Sequence, residues 1–218
     1  MNPVSTEGVV LKSRKYKENS HIVQIYTRQL GKQSYLVHAP QSKRARFRAS
    51  YLLPLSLLDL EVSHRPLREL GEIADARPRG LFPSISAHPV KASLAFFIAD
   101  VVSATQLQGE RDDMLFEYLT TVIQSLDATN DGLADFHCRF LLDYTRLMGF
   151  DPEPPDDNDY RRSLSPEHRR LYAAGARGAS LTRSERRVWV SLYLGYLRHE
   201  LPFMGDINSL EVLNGLLN

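Results

Sequence analysis

The sequence predicts an α+β protein in which a five-stranded OB-like β-barrel is followed by an all-helical domain. In the first eighty or so residues, apolar and polar side chains alternate with the period of two that is typical of strands. Beyond Pro83, apolar side chains recur instead at the spacing of helices. The chain-breaking run Arg-Pro-Arg-Gly at 77–80 separates the two patterns. We therefore expect a barrel domain at 1–80 and a helical domain at 81–218.

Five short runs in the first half predict strands. In the first, from Thr6 to Arg14, Val9 and Leu11 point to one face and Val10 points to the other. The other four runs cover residues 21–27, 33–39, 52–62 and 67–74, with turns at 16–20 and around Gly31. Five strands with hairpin-sized links fit a small closed barrel, of which the OB barrel is the commonest form. An SH3-like barrel fits the periodicity nearly as well.

The second half predicts helices with recognisable ends. We expect six helices. The first three begin after Pro89, after the cap at Asp112 or Asp113, and near Leu133, and the third of these ends at Gly149. The others begin at Ser165-Pro166, at the capping box Thr182 to Glu185, and within 209–217. The acidic segment 151–159 contains three prolines, and we expect a loop there.

The net charge of +1 conceals a strong asymmetry. Residues 1–80 hold 14 Lys and Arg against 7 Asp and Glu, whereas residues 81–218 hold 13 against 19. Between positions 12 and 48 there are ten basic residues and one acid, Glu18. Such a cluster is typical of surfaces that neutralise phosphates, although a solubilising face is the alternative. The candidate DNA-binding residues are Lys12, Arg14, Lys15, Lys17, Lys32, Lys43, Arg44, Arg46 and Arg48.

Aromatic residues in the barrel half could stack on bases if their rings are exposed. Tyr16 and Phe47 lie in a turn and a loop, and the sequence leaves open whether their rings are exposed or buried. Tyr26 and Tyr35 alternate with aliphatic strand residues, so we expect them in the core.

Sequence motifs of enzymes and metal sites are missing. There is no nucleophile elbow, phosphate-binding loop, dinucleotide fingerprint or HExxH motif, and the seven histidines are scattered. The single cysteine, Cys138, excludes an internal disulfide, and the acidic loop 151–159 lacks the glycine and closing glutamate of a calcium loop. We predict a non-enzymatic protein with no metal or cofactor. No apolar run approaches the roughly 18 residues of a spanning helix and no secretory signal is evident, which predicts a cytoplasmic protein.

The stretch 8–32 resembles the opening of RecO-type recombination mediators. The matching residues are Gly8, Val10, Leu11, Tyr16, Glu18, Ser20, Thr27, Gly31 and Lys32. Similarity continues through 139–152 to 203–217, so it covers nearly the whole chain. Many members of that family carry a four-cysteine zinc site after the helix corresponding to 139–149. This sequence has no cysteine there and resembles the zinc-free branch, so we expect no structural metal.

The resemblance implies a DNA-handling protein of the nucleoid. Family members bind single- and double-stranded DNA, anneal complementary strands, associate with RecR and help RecA replace single-stranded DNA-binding protein. Some hold the acidic C-terminal tail of that binding protein on the helical domain. Arg139 and Arg146, in the matching helix, are the candidates for this contact. An adaptor that binds RNA or an acidic protein partner is the alternative function.

Overall fold

A computed structural model describes residues 3–38, 47–63 and 70–217. Five strands form its N-terminal part: β1 (Val4–Lys17), β2 (Ser20–Thr27), β3 (Gly31–His38), β4 (Leu57–Ser63) and β5 (Gly71–Pro78). The candidate residues Lys43, Arg44 and Arg46 lie outside the described residues.

The strands close into a barrel in the order β1-β2-β3-β5-β4. Every neighbouring pair is antiparallel except β3 and β5, which are parallel and meet where Tyr35 faces Gly71. This order is that of an OB barrel rather than of the SH3-like alternative, so the predicted fold class is confirmed.

The alternation along β1 places apolar side chains on both faces of the barrel wall. Val10 points into the barrel core, whereas Val9 and Leu11 point outward into the core of the helical half.

The predicted strand ends were less accurate. Residues Ala49–Leu52 form a 3-10 turn and Leu55 adopts a φ of 62°, so β4 begins at Leu57 and not at residue 52. β1 runs to Lys17, which shortens the predicted turn at 16–20.

Eight α-helices follow within the described ranges. They are α1 (Pro83–Ala87), α2 (Pro89–Thr105), α3 (Asp113–Ala128), α4 (Leu133–Leu147), α5 (Asp159–Ser163), α6 (Pro166–Ala176), α7 (Arg183–Glu200) and α8 (Leu210–Leu216). All six predicted helices are present, and the short α1 and α5 were missed. Asp112 caps α3 by accepting from the backbone N–H groups of Met114 and Leu115. The capping box of Thr182 and Glu185 opens α7 as expected.

The barrel and the helices share one apolar core. Five barrel residues on the outer wall belong to the same buried cluster as the helical side chains: Val9, Leu11, Tyr26, Leu55 and Leu57. The hydroxyl of Tyr26 accepts from the backbone N–H of Asp112 at 3.0 Å and donates to its carbonyl at 3.3 Å. Because packing and hydrogen bonds both cross the junction, the helical half holds β1 and β2 from one side.

Candidate nucleic-acid interface

The second half of β1 projects beyond the strand that flanks it. Pairing with β4 ends at Val9, whereas pairing with β2 continues from Lys12 opposite Gln24 to Lys17 opposite Ser20. Among the described strands, residues 12–17 therefore have a neighbour on one side only, over a length of ~17 Å. The side chains of Lys12, Arg14, Lys15 and Lys17 are exposed here, and we call this set the basic ribbon.

Most charges of the basic ribbon are free. Arg14, Lys15 and Lys17 make no ion pair with any described residue. The ammonium of Lys12 lies 3.2 Å from the carboxylate of Asp100. Lysines on an open strand edge discourage pairing with other chains, and the same charges are available to phosphates.

The aromatic residues of the barrel half differ in exposure. The ring of Tyr16 is 52% exposed, and the Lys17 ammonium lies 5.5 Å from its centroid. Phe47 is only 4% exposed and packs edge-on against Tyr51 in the barrel core. The sequence left the exposure of this ring open, and packing in the barrel core decides it. Tyr26 and Tyr35 are fully buried, as predicted.

The side chain of Lys32 lies apart from the basic ribbon and contacts the helical half. Its ammonium donates to the carbonyl of Ser103 on α2 at 2.8 Å, and burial lowers its pKa. The neighbouring Gly31 has a φ of 62°, and a Cβ there would lie 2.0 Å from the backbone oxygen of Glu110. This hairpin is therefore pressed against the helical half.

Arg28 also faces the helices. Its guanidinium pairs with Glu7 and, at 2.6 Å, with Glu117, and it lies 4.5 Å from the ring centroid of Phe116. The pKa of Arg28 is raised, chiefly by the hydrogen bond to Glu117. This residue fastens the barrel to α3.

Arg48 is the only candidate of the 43–48 run within the described residues. It is exposed, makes no ion pair with the described part of the chain, and directly precedes the 3-10 turn. Its position is compatible with phosphate contact next to the barrel.

The candidates for a partner tail lie on the exposed side of α4. Arg139 donates to the carbonyl of Gly132 at 3.3 Å, and Arg146 pairs with Asp143 at 3.0 Å. Seven residues separate them, so their side chains lie on nearly the same face, ~10 Å apart along the helix. Arg139 is exposed and carries no ion pair to a described residue, which leaves its charge available.

His137 is buried and the adjacent Cys138 is partly buried on α4, and both side chains are held in their neutral forms at neutral pH. Burial lowers the pKa of His137 to about 4, with a further contribution from Arg186. Burial raises the pKa of the Cys138 thiol to about 12. In the described ranges, no group of three His, Cys, Asp or Glu side chains is placed to hold a metal ion. Nor does any helix in those ranges have the length and apolar character needed to cross a bilayer.

An apolar cavity at the junction of barrel and helices was not predicted. It has a volume of about 630 Å³ and lies between β1, residues 52–54, α2 and α8; we call it the junction groove. Three large apolar side chains on its walls stay about half exposed: Leu53 at 50%, Phe96 at 52% and Val212 at 61%. Phe96 falls out of phase with the buried stripe of α2, and this misfit is the sequence signal that could have revealed the groove.

Comparisons with known proteins identify relatives along the chain. The family model described as "Recombination protein O N terminal" matches residues 1–82, and that described as "Recombination protein O C terminal" matches residues 87–181. A "DNA repair protein RecO" of Phocaeicola vulgatus is 28% identical over 98% of both chains. A protein of the same name from Bacteroides fragilis is 29% identical over 98% of both. Another from Christiangramia forsetii is 32% identical over 69% of this chain and 63% of its own length.

Proposed function

Because the chain belongs to the RecO family of DNA repair proteins, we propose that it is a recombination mediator that binds DNA and performs no bond chemistry of its own. It binds single- and double-stranded DNA, anneals complementary strands and, with RecR, assists RecA to load on DNA coated with single-stranded DNA-binding protein. The observation that carries this proposal is an open basic ribbon on an OB barrel, in which three of the four cations make no ion pair with a described residue.

The mechanism is electrostatic. Cations on the basic ribbon neutralise the phosphates of a bound strand and release its counterions. A strand with partly neutralised phosphates repels its complement less, so base pairing can begin while the strand is held. Arg14, Lys15 and Lys17 supply this charge, Lys12 adds to it, and Arg48 with Lys43, Arg44 and Arg46 extends it. Tyr16 offers a ring on which a base can stack.

The two halves have different roles. We assign DNA binding to the barrel, residues 1–80, and protein contacts to the helical domain, residues 81–218. Arg139 and Arg146 are the proposed contacts for the acidic tail of single-stranded DNA-binding protein, since a guanidinium binds a carboxylate through two hydrogen bonds.

The first test is annealing of complementary oligonucleotides coated with single-stranded DNA-binding protein. We expect the protein to accelerate annealing. An adaptor that binds RNA or an acidic protein, and never handles DNA, leaves this rate unchanged.

The second test measures how affinity for single-stranded DNA depends on salt. Each neutralised phosphate contributes ~0.7 to the slope of log affinity against log salt. The triple variant Arg14→Ala, Lys15→Ala, Lys17→Ala should therefore lower the slope by roughly 2. A matched control removes three exposed arginines of the helical half, Arg162, Arg169 and Arg170. Equal slopes for wild type, triple variant and control would refute the role of the basic ribbon.

A further inference from the structure

We propose that the junction groove is a nucleobase site, which receives one or two unpaired bases of a single strand whose phosphates lie on the basic ribbon. This inference rests on the proposed DNA binding and adds to it a preference for single strands. Continuity, charge, wall chemistry and unpaired polar atoms support it.

The junction groove opens directly onto the basic ribbon. Lys12 and Lys15 line the groove and also belong to the ribbon. A strand that follows the ribbon therefore passes the groove mouth with its phosphates at these lysines. Its bases, which project from the backbone on the other side, then face the groove.

The charge around the junction groove suits a polyanion. Of the described residues that line the groove, Asp100 is the one with an acidic side chain. Its carboxylate pairs with Lys12 and accepts from the backbone N–H groups of Asn208 and Ser209, each at 3.0 Å. The negative charge of Asp100 is thus already neutralised, and Lys15 remains as a free cation at the rim.

The walls of the junction groove suit flat apolar surfaces. Phe96 is about half exposed and lines the groove together with Leu53 and Val212. Stacking on an aromatic ring is tolerant of base identity, because every base has a π face. The groove volume of about 630 Å³ accommodates bases as well as their sugars.

Polar atoms without partners also cluster at the junction groove. Within the described residues, Nδ1 of His21 and the hydroxyls of Ser93 and Ser209 are buried and have no hydrogen-bond partner, and all three residues line the groove. Buried polar atoms are normally satisfied, so these three atoms are available for hydrogen bonds to a bound base. Rotation about the Cα–Cβ bond redirects a serine hydroxyl, which can then donate to or accept from a base edge.

A base can enter the junction groove only when it is unpaired. Duplex DNA contacts the basic ribbon through its phosphates alone, whereas a single strand gains the stacking contact as well. The protein should therefore bind single strands more tightly than duplex of equal charge, and this difference should depend on Phe96.

The experiment compares two ligands on several variants. The ligands are a single-stranded oligonucleotide and an abasic oligonucleotide of the same length, measured at one salt concentration. Phe96→Ala should weaken binding of the base-bearing strand by roughly 5- to 150-fold, the range seen when a stacking ring is removed. The same substitution should leave binding of the abasic strand unchanged. Phe96→Tyr keeps the ring and should retain most of the affinity.

Two controls make the outcome decisive. Met114→Ala truncates another exposed apolar side chain, on α3 away from the junction groove, and should change neither ligand's affinity. Thermal unfolding of each variant verifies that the fold is intact. An equal loss for both ligands, or no loss for either, overturns the nucleobase site. A protein that binds DNA with a ribbon-dependent salt slope but is insensitive to Phe96 refutes this inference alone. A protein that binds no DNA at all refutes the proposed function.

Discussion

Gly175 on α6 should be irreplaceable because of its contact with the single tryptophan. A Cβ at this position would lie 2.1 Å from Nε1 of Trp189 and 2.3 Å from its Cδ1. The indole is fully buried, stacks on Tyr193 at 4.6 Å between ring centroids, and donates to the carbonyl of Tyr172 at 3.1 Å. Neither the indole nor the helix can move away without disrupting these contacts.

The expected cost of Gly175→Ala follows from three contributions. Overpacking of a core costs about 1–3 kcal/mol. Loss of the buried indole hydrogen bond costs about 1–3 kcal/mol more. Replacing a helical glycine with alanine returns up to about 1 kcal/mol. The net loss in the free energy of unfolding is therefore about 3 kcal/mol, which for a chain of this size lowers Tm by roughly 6–12 °C.

Fluorescence of Trp189 during urea unfolding measures this loss directly, since the chain has no other tryptophan. Gly215→Ala is the matched control: a Cβ there meets nothing within 4 Å, and the substitution should stabilise α8 slightly. A Gly175→Ala variant as stable as the wild type would show that α6 and α7 do not pack through this contact.

Three further predictions follow from other parts of the molecule. Simultaneous replacement of Lys43, Arg44, Arg46 and Arg48 by alanine should weaken DNA binding and reduce the slope of log affinity against log salt by up to ~3. The unfolding midpoint should stay unchanged. An unaltered slope would show that this run is not part of the interface. Arg139→Ala should reduce affinity for an acidic peptide that copies the tail of single-stranded DNA-binding protein, as measured by calorimetry, whereas unchanged affinity would exclude Arg139. The pKa of His137 falls from its usual 6.5 to about 4 on folding, so the unfolded chain binds a proton that the folded chain does not as pH drops through this window. Stability should therefore fall by about 2 kcal/mol between pH 7 and pH 5, and His137→Leu should flatten that dependence in denaturation curves.

The sequence predicted the barrel well because successive side chains of its strands point to opposite faces. One face packs inside the barrel and the other packs against the helices. Val10 points into the barrel while Val9 and Leu11 meet the helices, and this alternation is legible in the residues alone. The start of β4 was misplaced because the apolar run that begins at Leu52 continues through a 3-10 turn and a residue with positive φ, neither of which changes the hydropathy pattern. The short α1 and α5 were missed because helices of five residues span little more than one turn and show no periodicity.

The candidate site was predictable in charge but not in shape. The cluster of basic residues from Lys12 to Lys17 is evident from the sequence, but its open edge depends on where β4 stops pairing. The sequence left the exposure of Phe47 open because the residue lies in a loop, and tertiary packing places it in the barrel core. The junction groove is formed by segments about 200 residues apart in the sequence, from Leu11 to Val212. No local sequence pattern indicates that these segments lie next to each other in the fold.

The opposite charges of the two halves do not cancel uniformly when the halves pack together. Carboxylate and carbonyl oxygens of the helical half bind particular cations of the barrel. Asp100 pairs with Lys12, Glu117 pairs with Arg28, and the carbonyl of Ser103 accepts a hydrogen bond from Lys32. Arg14, Lys15 and Lys17 lie farther along β1 and make no ion pair with a described residue. Docking of the acidic half therefore concentrates the free positive charge at the far end of β1, next to the junction groove. On the proposed function, a single strand attracted by that charge would reach the mouth of the proposed nucleobase site.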